Sequence, residues 1–272
     1  MIRLAVRCPP GLAEVVLAEL LVLAPGGVEE DEGDGYVEYA IYGAAGELPE
    51  LGTLAAEVEG GPIDVTSEEI PDDWTDRWRD FHKPIVVGDR LVVAPSWEED
   101  PPGGELERIV VDPGQAFGTG AHATTRMCLE LLIELADAGA AAGPIADWGT
   151  GSGVLAIAAA KLGFAPVAGC DHESAALAAA AENAVANGVE VALERRNLRS
   201  EPAPCAPTVT ANLTAPVLLE VADRLETAPS RLVCSGLLHR EADGVAGAFA
   251  RAGLAERRRL TDGDWTALLL ER

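Results

Sequence analysis

The chain has 272 residues, 48% of them apolar, which suits one large domain or two modest ones and excludes disorder throughout. Its 45 acidic and 20 basic side chains leave a net charge of −25. That balance repels a phosphate backbone, so no direct nucleic-acid binding is expected, whereas a basic partner is attracted. Simple solubility accounts for the same acidity without any partner.

Met1–Val16 has no long apolar stretch behind a basic start, so no signal peptide is expected, and no apolar run approaches the roughly 18 residues of a membrane span. Cys8, Cys128, Cys170, Cys205 and Cys234 are scattered, odd in number and never spaced CxxC. They read as reduced thiols of a cytoplasmic protein, with neither a disulfide framework nor a metal site. Asn212-Leu213-Thr214 fits a glycosylation sequon, which carries no weight without secretion.

Residues 1–70 hold 15 acidic and 2 basic side chains, and residues 71–272 hold 30 and 18. This shift predicts three parts: a small domain at 1–70, a linker at 71–104 and a larger domain at 105–272. In the first part, Ile2–Cys8 alternates as a strand does, and Pro9-Pro10 stops it. Leu12–Leu23 has helical spacing and ends at Pro25-Gly26-Gly27. Val28–Glu32 and Tyr36–Tyr42 flank a Gly33–Gly35 turn as a hairpin. Leu48–Val58 predicts a short helix and Pro62–Thr66 a last strand. The order β-α-β-β-α-β is the ferredoxin-like split unit.

The linker carries Trp74, Trp78 and Trp97, read as packing anchors because of their burial area, and two β-like stretches, Ile85–Val87 and Leu91–Ala94. Pro101-Pro102-Gly103-Gly104 is a turn or joint. Beyond it, strands are predicted at Ile109–Val111, Ile145–Asp147, Pro166–Cys170, Thr208–Ala211, Arg231–Ser235, Ala255–Leu260 and Trp265–Leu270. Helices are predicted at 122–138, 153–163, 173–187, 214–227 and 239–252. The alternation implies an α/β fold: a mostly parallel sheet covered on both faces, closed by an antiparallel hairpin at one edge.

Asp147-Trp148-Gly149-Thr150-Gly151-Ser152-Gly153 follows a predicted strand and opens a predicted helix. Gly151, Gly153 and Ala156 satisfy the relaxed dinucleotide pattern GxGxxA, so a nicotinamide site and a purely structural turn stay open. Three details favour S-adenosylmethionine. Asp147 precedes the first glycine, where an ionised acid suits a methionyl ammonium and would repel a pyrophosphate. Gly149, Gly151 and Gly153 fall at every second position, wrapping a compact amino-acid moiety. Asp171 ends the next strand, where an acid accepts from both ribose hydroxyls, a feature shared with dinucleotide sites. Upstream, the segment Asp112–Arg126 sets Phe117, Gly118, Thr119, Gly120 and His122 before a helix that begins near Thr124 and Thr125. Its N-terminus offers free N–H groups to a carboxylate, unless Ser/Thr-type capping is its whole role. His122 has no carboxylate partner in the sequence and reads as a structural or gating group.

Together the two glycine segments give the chain a resemblance to the bacterial methyltransferases of the eleventh protein of the large ribosomal subunit (L-eleven), the PrmA family. The carrying residues are DPGQAFGTGAHATT at 112–125, DWGTGSGVLAIAA at 147–159, DHES at 171–174, Asn212-Leu213-Thr214 and Ser235-Gly236-Leu237-Leu238. Trp78, Phe81, Lys83-Pro84 and Pro95-Ser96-Trp97 match as well, so the resemblance spans about residues 74–270. It implies a class I, Rossmann-like methyltransferase domain behind a ferredoxin-like recognition domain. It also implies S-adenosyl-L-methionine as cofactor, a basic ribosomal protein as substrate, and contacts to the cofactor from Thr125, Gly149, Asp171 and Asn212. The chain departs from the family pattern at Ala121, Ala123, Thr150 and His172-Glu173-Ser174, and Cys205-Ala206-Pro207-Thr208 lacks an acid often found there.

The expected activity is protein N-methylation of lysine or N-terminal amines by a cytoplasmic monomer, with Asn212 orienting the amine. A strand-end cap is the plainer role for Asn212. The competing functions are a related methyltransferase acting on another protein lysine or a small amine, and a non-catalytic binding module of the same fold.

Overall fold

The computed structural model describes residues 2–13, 16–17, 20, 28–33, 35–43, 48, 53–58, 61–69, 83–99, 106–112 and 122–272. The chain divides into two compact units, residues 1–81 and 82–272.

The first unit is built on a five-stranded sheet of β1 (Ile2–Cys8), β2 (Glu29–Gly33), β3 (Tyr36–Gly43), β4 (Thr53–Val58) and β5 (Gly61–Glu69), ordered β2-β3-β1-β5-β4. Every neighbouring pair is antiparallel. Alternation in β1 and β3 puts Ile2, Leu4, Val6, Val37, Tyr39 and Ile41 on one face, where helical Val16 and Leu20 join them in a small core. The structure corrects the predicted helix at Leu48–Val58. Residues 53–58 pair with β5 along their full length, because a six-residue stretch as short as TLAAEV satisfies either period and the neighbouring backbone decides.

Arg3 and Arg7, the two basic residues among residues 1–70, are both committed. Arg3 Nη2 lies 2.7 Å and Arg7 Nη2 2.8 Å from the two oxygens of Glu38, and Arg7 stacks over the Tyr36 ring at 4.2 Å. The guanidinium of Arg3, first, and that of Arg7 hold the Glu38 carboxyl below its ordinary range. On the edge strand β2, Glu29, Glu30 and Asp31 are exposed.

The second unit begins with a three-stranded sheet of β6 (Ile85–Val87), β7 (Leu91–Ala94) and β8 (Glu107–Val110). The seven-stranded sheet follows. Its elements are α1 (Ala123–Asp137), β9 (Ile145–Trp148), α2 (Val154–Lys161), β10 (Val167–Asp171), α3 (Ser174–Ala186), β11 (Ala192–Arg195), β12 (Thr208–Asn212), α4 (Ala215–Arg224), β13 (Arg231–Leu238), α5 (His239–Arg251), β14 (Ala255–Asp262) and β15 (Trp265–Glu271). The strand order is β11-β10-β9-β12-β13-β15-β14. The first five strands are parallel, and β15 pairs antiparallel with β13 and β14.

Two strand predictions need correction. The alternation predicts 109–111 as a strand of the parallel sheet, but β8 lies in the three-stranded sheet. The sheet's seventh strand is β11, which lacks an apolar signature because it is an edge strand with Ala192, Glu194 and Arg195 exposed. One core gathers α1, α2, β6–β8 and part of the large sheet, with Leu91, Ile109, Leu132 and Ile157 fully buried. The other gathers α4 and α5 around Trp148, Leu218 and Phe249. Asn187 ties β8 to the end of α3: its Oδ1 accepts from Val110 N–H at 2.8 Å, and its Nδ2 donates to Val110 C=O at 2.7 Å. All five cysteines are free, four of them buried. Among the described residues, no helix is long and apolar enough to cross a membrane.

Candidate active site

The site residues converge at the carboxyl ends of β9, β10 and β12, where an open α/β sheet leaves a crevice. Gly149, Gly151 and Gly153 have φ of 72°, 53° and 83°, a region costly for any residue with a Cβ. The loop folds back through Gly149 and Thr150, whose N–H groups both donate to Cys170 C=O at 2.9 Å. At Gly149 an added Cβ would lie 2.3 Å from Leu213 Cδ2, and at Gly153 it would lie 3.1 Å from Ala180 Cβ. The first glycine therefore admits the residue after Asn212, and the third lets α2 pack closely on α3.

Asp147 is buried beneath this loop. Thr210 Oγ1 donates to its Oδ1 at 2.7 Å, and Thr150 Oγ1 donates to its Oδ2 at 2.8 Å. Burial pushes its pKa up to about 6, against those hydroxyl bonds, with nearby Asp171 adding to the rise. The sequence pattern set Asp147 opposite a cationic ligand group. In the structure its two oxygens hold the loop and the neighbouring strand. Thr150, which departs from the family pattern, is one of those two donors. Thr210 was missed, since nothing in the sequence says that two residues 63 apart meet.

Asp171 closes β10. Its Oδ2 accepts from Gly151 N–H at 3.0 Å and its Oδ1 from Glu173 N–H at 3.1 Å, so the carboxylate is held from both sides at the crevice. His172, another departure, places Nδ1 3.2 Å from Asp171 Oδ1.

Asn212 is the last residue of β12 and is half-buried. Its Nδ2 donates to Thr124 Oγ1 and to Thr125 Oγ1, each at 3.2 Å. Among the described residues nothing donates to its Oδ1. Ser235 C=O receives Leu213 N–H at 3.0 Å, and Gly236 (φ 84°) approaches so closely that a Cβ would lie 2.4 Å from Leu213 O. The segments Asn212-Leu213-Thr214 and Ser235-Gly236, distant in sequence, thus form one seat for Asn212.

His122 is the N-cap of α1, accepting Thr124 N–H on Nδ1 at 3.4 Å. Its ring meets Trp265 edge-on, with centroids 4.9 Å apart. Burial, and then the Arg126 charge, lower its pKa and favour the neutral ring. The cap expected from a Ser or Thr is supplied by this histidine instead. Phe117, Gly118, Thr119 and Gly120 lie outside the described residues, as do Trp74 and Trp78.

The donor and acceptor set suits a nucleoside attached to an amino acid. Asp171 offers acceptors for vicinal hydroxyls, Asp147 a buried negative charge, and the left-handed glycines an uncovered backbone. The seven-stranded sheet with its edge hairpin and this crevice define a class I methyltransferase-like fold. The ribosomal protein L11 methylase of Lactobacillus delbrueckii subsp. bulgaricus superposes with a TM-score of 0.63 at 32% identity, covering 70% of this chain and 99% of that one.

The chain belongs to the ribosomal protein L11 methyltransferase (PrmA) family, whose model matches residues 40–272. The ribosomal protein L11 methyltransferase of Pelotomaculum thermopropionicum is 40% identical over 229 residues, 81% of this chain and 73% of that protein. That of Heliobacterium modesticaldum is 38% identical over 206 residues, 74% of this chain and 64% of that protein.

Proposed function

We propose that this protein methylates amines of ribosomal protein L11, with S-adenosylmethionine as methyl donor and Asn212 as the residue that orients the amine. The carrying observation is the Asn212 carboxamide, whose nitrogen is committed to Thr124 and Thr125 while its oxygen has no donor among the described residues.

S-adenosylmethionine supplies a methyl group on a cationic sulfur, already activated for transfer. Asp171 takes the ribose hydroxyls, and the Gly149–Gly153 loop encloses the amino-acid end. Thr125 closes the site from α1, with Phe117, Gly118, Thr119, Gly120 and His122 as further candidates. Ionised Asp147 adds a negative field for the methionyl ammonium. The chain's remaining task is to hold a neutral amine in line with the S–CH3 bond. A lysine amine has an ordinary pKa of about 10.4, so its proton must leave first, and a desolvating crevice favours the neutral form. Asn212 Oδ1 accepts one amine N–H and aims the lone pair.

In this reading the first 70 residues are the substrate-recognition domain and residues 105–272 the catalytic domain, and of the expected linker at 71–104 the strands β6 and β7 pack into the core of the second unit. The order β2-β3-β1-β5, with helical residues between β1 and β2, supports a ferredoxin-like unit in which β4 stands where the second helix would be. Its acidity suits a basic ribosomal protein. We place the activity in the cytoplasm, carried by a monomer without nucleic-acid contact.

Methylation of purified L11, followed by mass spectrometry, tests the activity. Calorimetry with S-adenosylmethionine separates an enzyme from a binding module that has lost the cofactor. Asn212→Ala should reduce kcat well beyond any loss of cofactor affinity. Normal turnover in that variant would end the orienting role.

A further inference from the structure

We propose that Thr124 is a positioning residue that sets which end of the Asn212 carboxamide faces the substrate amine, an inference that rests on the reading of Asn212 above. A carboxamide has two ends of similar shape and opposite hydrogen-bonding character, and rotating it by half a turn exchanges an acceptor for a donor. Aimed at a neutral amine, the oxygen directs the lone pair toward the methyl group, whereas the NH2 would bind that lone pair and block attack. Something must therefore select one orientation.

The structure contains a hydrogen-bond chain with a defined direction. Thr124 Oγ1 lies 2.8 Å from His122 Nδ1 and 3.2 Å from Asn212 Nδ2. His122 Nδ1 also receives Thr124 N–H at 3.4 Å as the cap of α1, and on that bond we assign Nδ1 as an acceptor whose lone pair the N–H and the hydroxyl share, with the ring proton on Nε2. The Thr124 hydroxyl consequently donates to His122. Having spent its only proton there, its oxygen can only accept, and what it accepts is an Asn212 N–H. A hydroxyl with a free proton would tolerate either end of the carboxamide, but this one tolerates only the NH2 end.

The surroundings keep the chain in place. Thr124 is 2% exposed, so no solvent competes for its hydroxyl. Trp265 packs against the His122 ring, and Arg126 on α1 pairs with Asp262 at the end of β14. Thr125 offers Asn212 a second acceptor, but no described ring nitrogen fixes the direction of its proton.

The test compares Thr124→Val, which keeps the shape and removes the hydroxyl, with Thr124→Ser, which keeps the hydroxyl. Both are made in the full chain and assayed on ribosomal protein L11, with S-adenosylmethionine affinity measured by calorimetry. Thr124→Val is expected to lower kcat about tenfold or more, since misaimed reacting groups cost up to ~100-fold. Cofactor affinity stays within about threefold, and Thr124→Ser restores most of kcat. In an Asn212→Ala background, Thr124→Val adds nothing, because both changes act through one carboxamide.

An unchanged kcat in Thr124→Val overturns the proposal. So does a loss of kcat matched by an equal loss of cofactor affinity, a Thr124→Ser variant as poor as Thr124→Val, or a further drop in the double variant. Should Thr124→Val fail to fold, Thr124→Ala removes the same hydroxyl without a γ-methyl to misfit. If Asn212→Ala keeps its turnover, the reading of Asn212 falls. If Asn212→Ala is impaired and Thr124→Val is not, only the role of Thr124 falls.

Discussion

Thr210 Oγ1 lies 2.7 Å from Asp147 Oδ1, joining the adjacent strands β12 and β9 beneath the glycine loop. The hydroxyl partly offsets the cost of burying a carboxylate, yet the pKa of Asp147 still stands at about 6. Folding therefore raises that pKa above its unfolded value, and the folded protein binds more protons than the unfolded chain between about pH 4 and pH 6. The corresponding stability is fully present below about pH 4 and is lost as pH rises through about 6, to a total of about 3 kcal/mol. Asp147→Asn has no proton to lose. Urea unfolding of both proteins should show wild type losing about 3 kcal/mol relative to the variant between about pH 4 and pH 7. A difference that does not change with pH would show that Asp147 keeps an ordinary acidity.

Gly149 tests how tightly the loop and Asn212 are coupled. Gly149→Ala imposes a left-handed backbone worth roughly 1–2 kcal/mol and places a methyl against Leu213, whose side chain must move. Cofactor affinity should fall about tenfold or more. Adding Leu213→Ala removes the collision but not the backbone strain, so affinity should return only in part. Full recovery would show that crowding alone was responsible, and no recovery would show that Leu213 is not the obstacle.

Asn187 supports the edge of β8 as a neighbouring strand would. Asn187→Ala leaves Val110 N–H and C=O without those partners and should cost about 1–3 kcal/mol in chemical unfolding. Amide exchange at Val110 should accelerate while that at Leu91, on β7, stays slow. Equal acceleration at both would mean that Asn187 stabilises the whole unit and not the edge of β8.

Electrostatic steering should be visible in association kinetics. Residues 1–70 carry a net charge of −13, and Arg3 and Arg7 are both engaged with Glu38. The association rate with a basic ribosomal protein should fall about tenfold or more from low salt to about 0.5 M, because the Debye length shrinks from ~10 Å at 0.1 M toward a few ångströms. A rate that does not respond to salt would remove charge from the recognition step.

Much of the larger unit is legible in the sequence. The five helices α1–α5 lie where apolar periodicity put them, and the loop Gly149–Gly153 sits between a strand and a helix as its glycines require. The failures share a cause. Thr53–Val58 is too short to declare a period, and β11 is too exposed to show an apolar face, so pairing with β5 and β10 decided both. Neighbouring backbone is a long-range fact that no local window contains.

The sequence by itself singled out the candidate residues: Asp147, the three alternate glycines and Asp171 by type and spacing, and Asn212 by its place in the family resemblance. Tertiary structure decided what they are bonded to. The two hydroxyls on Asp147, the seat made for Asn212 by Leu213 and Gly236, and the His122–Thr124–Asn212 chain join residues from different strands and helices. Side-chain type is local information, whereas the direction of a hydrogen bond depends on which groups the fold brings within about 3 Å.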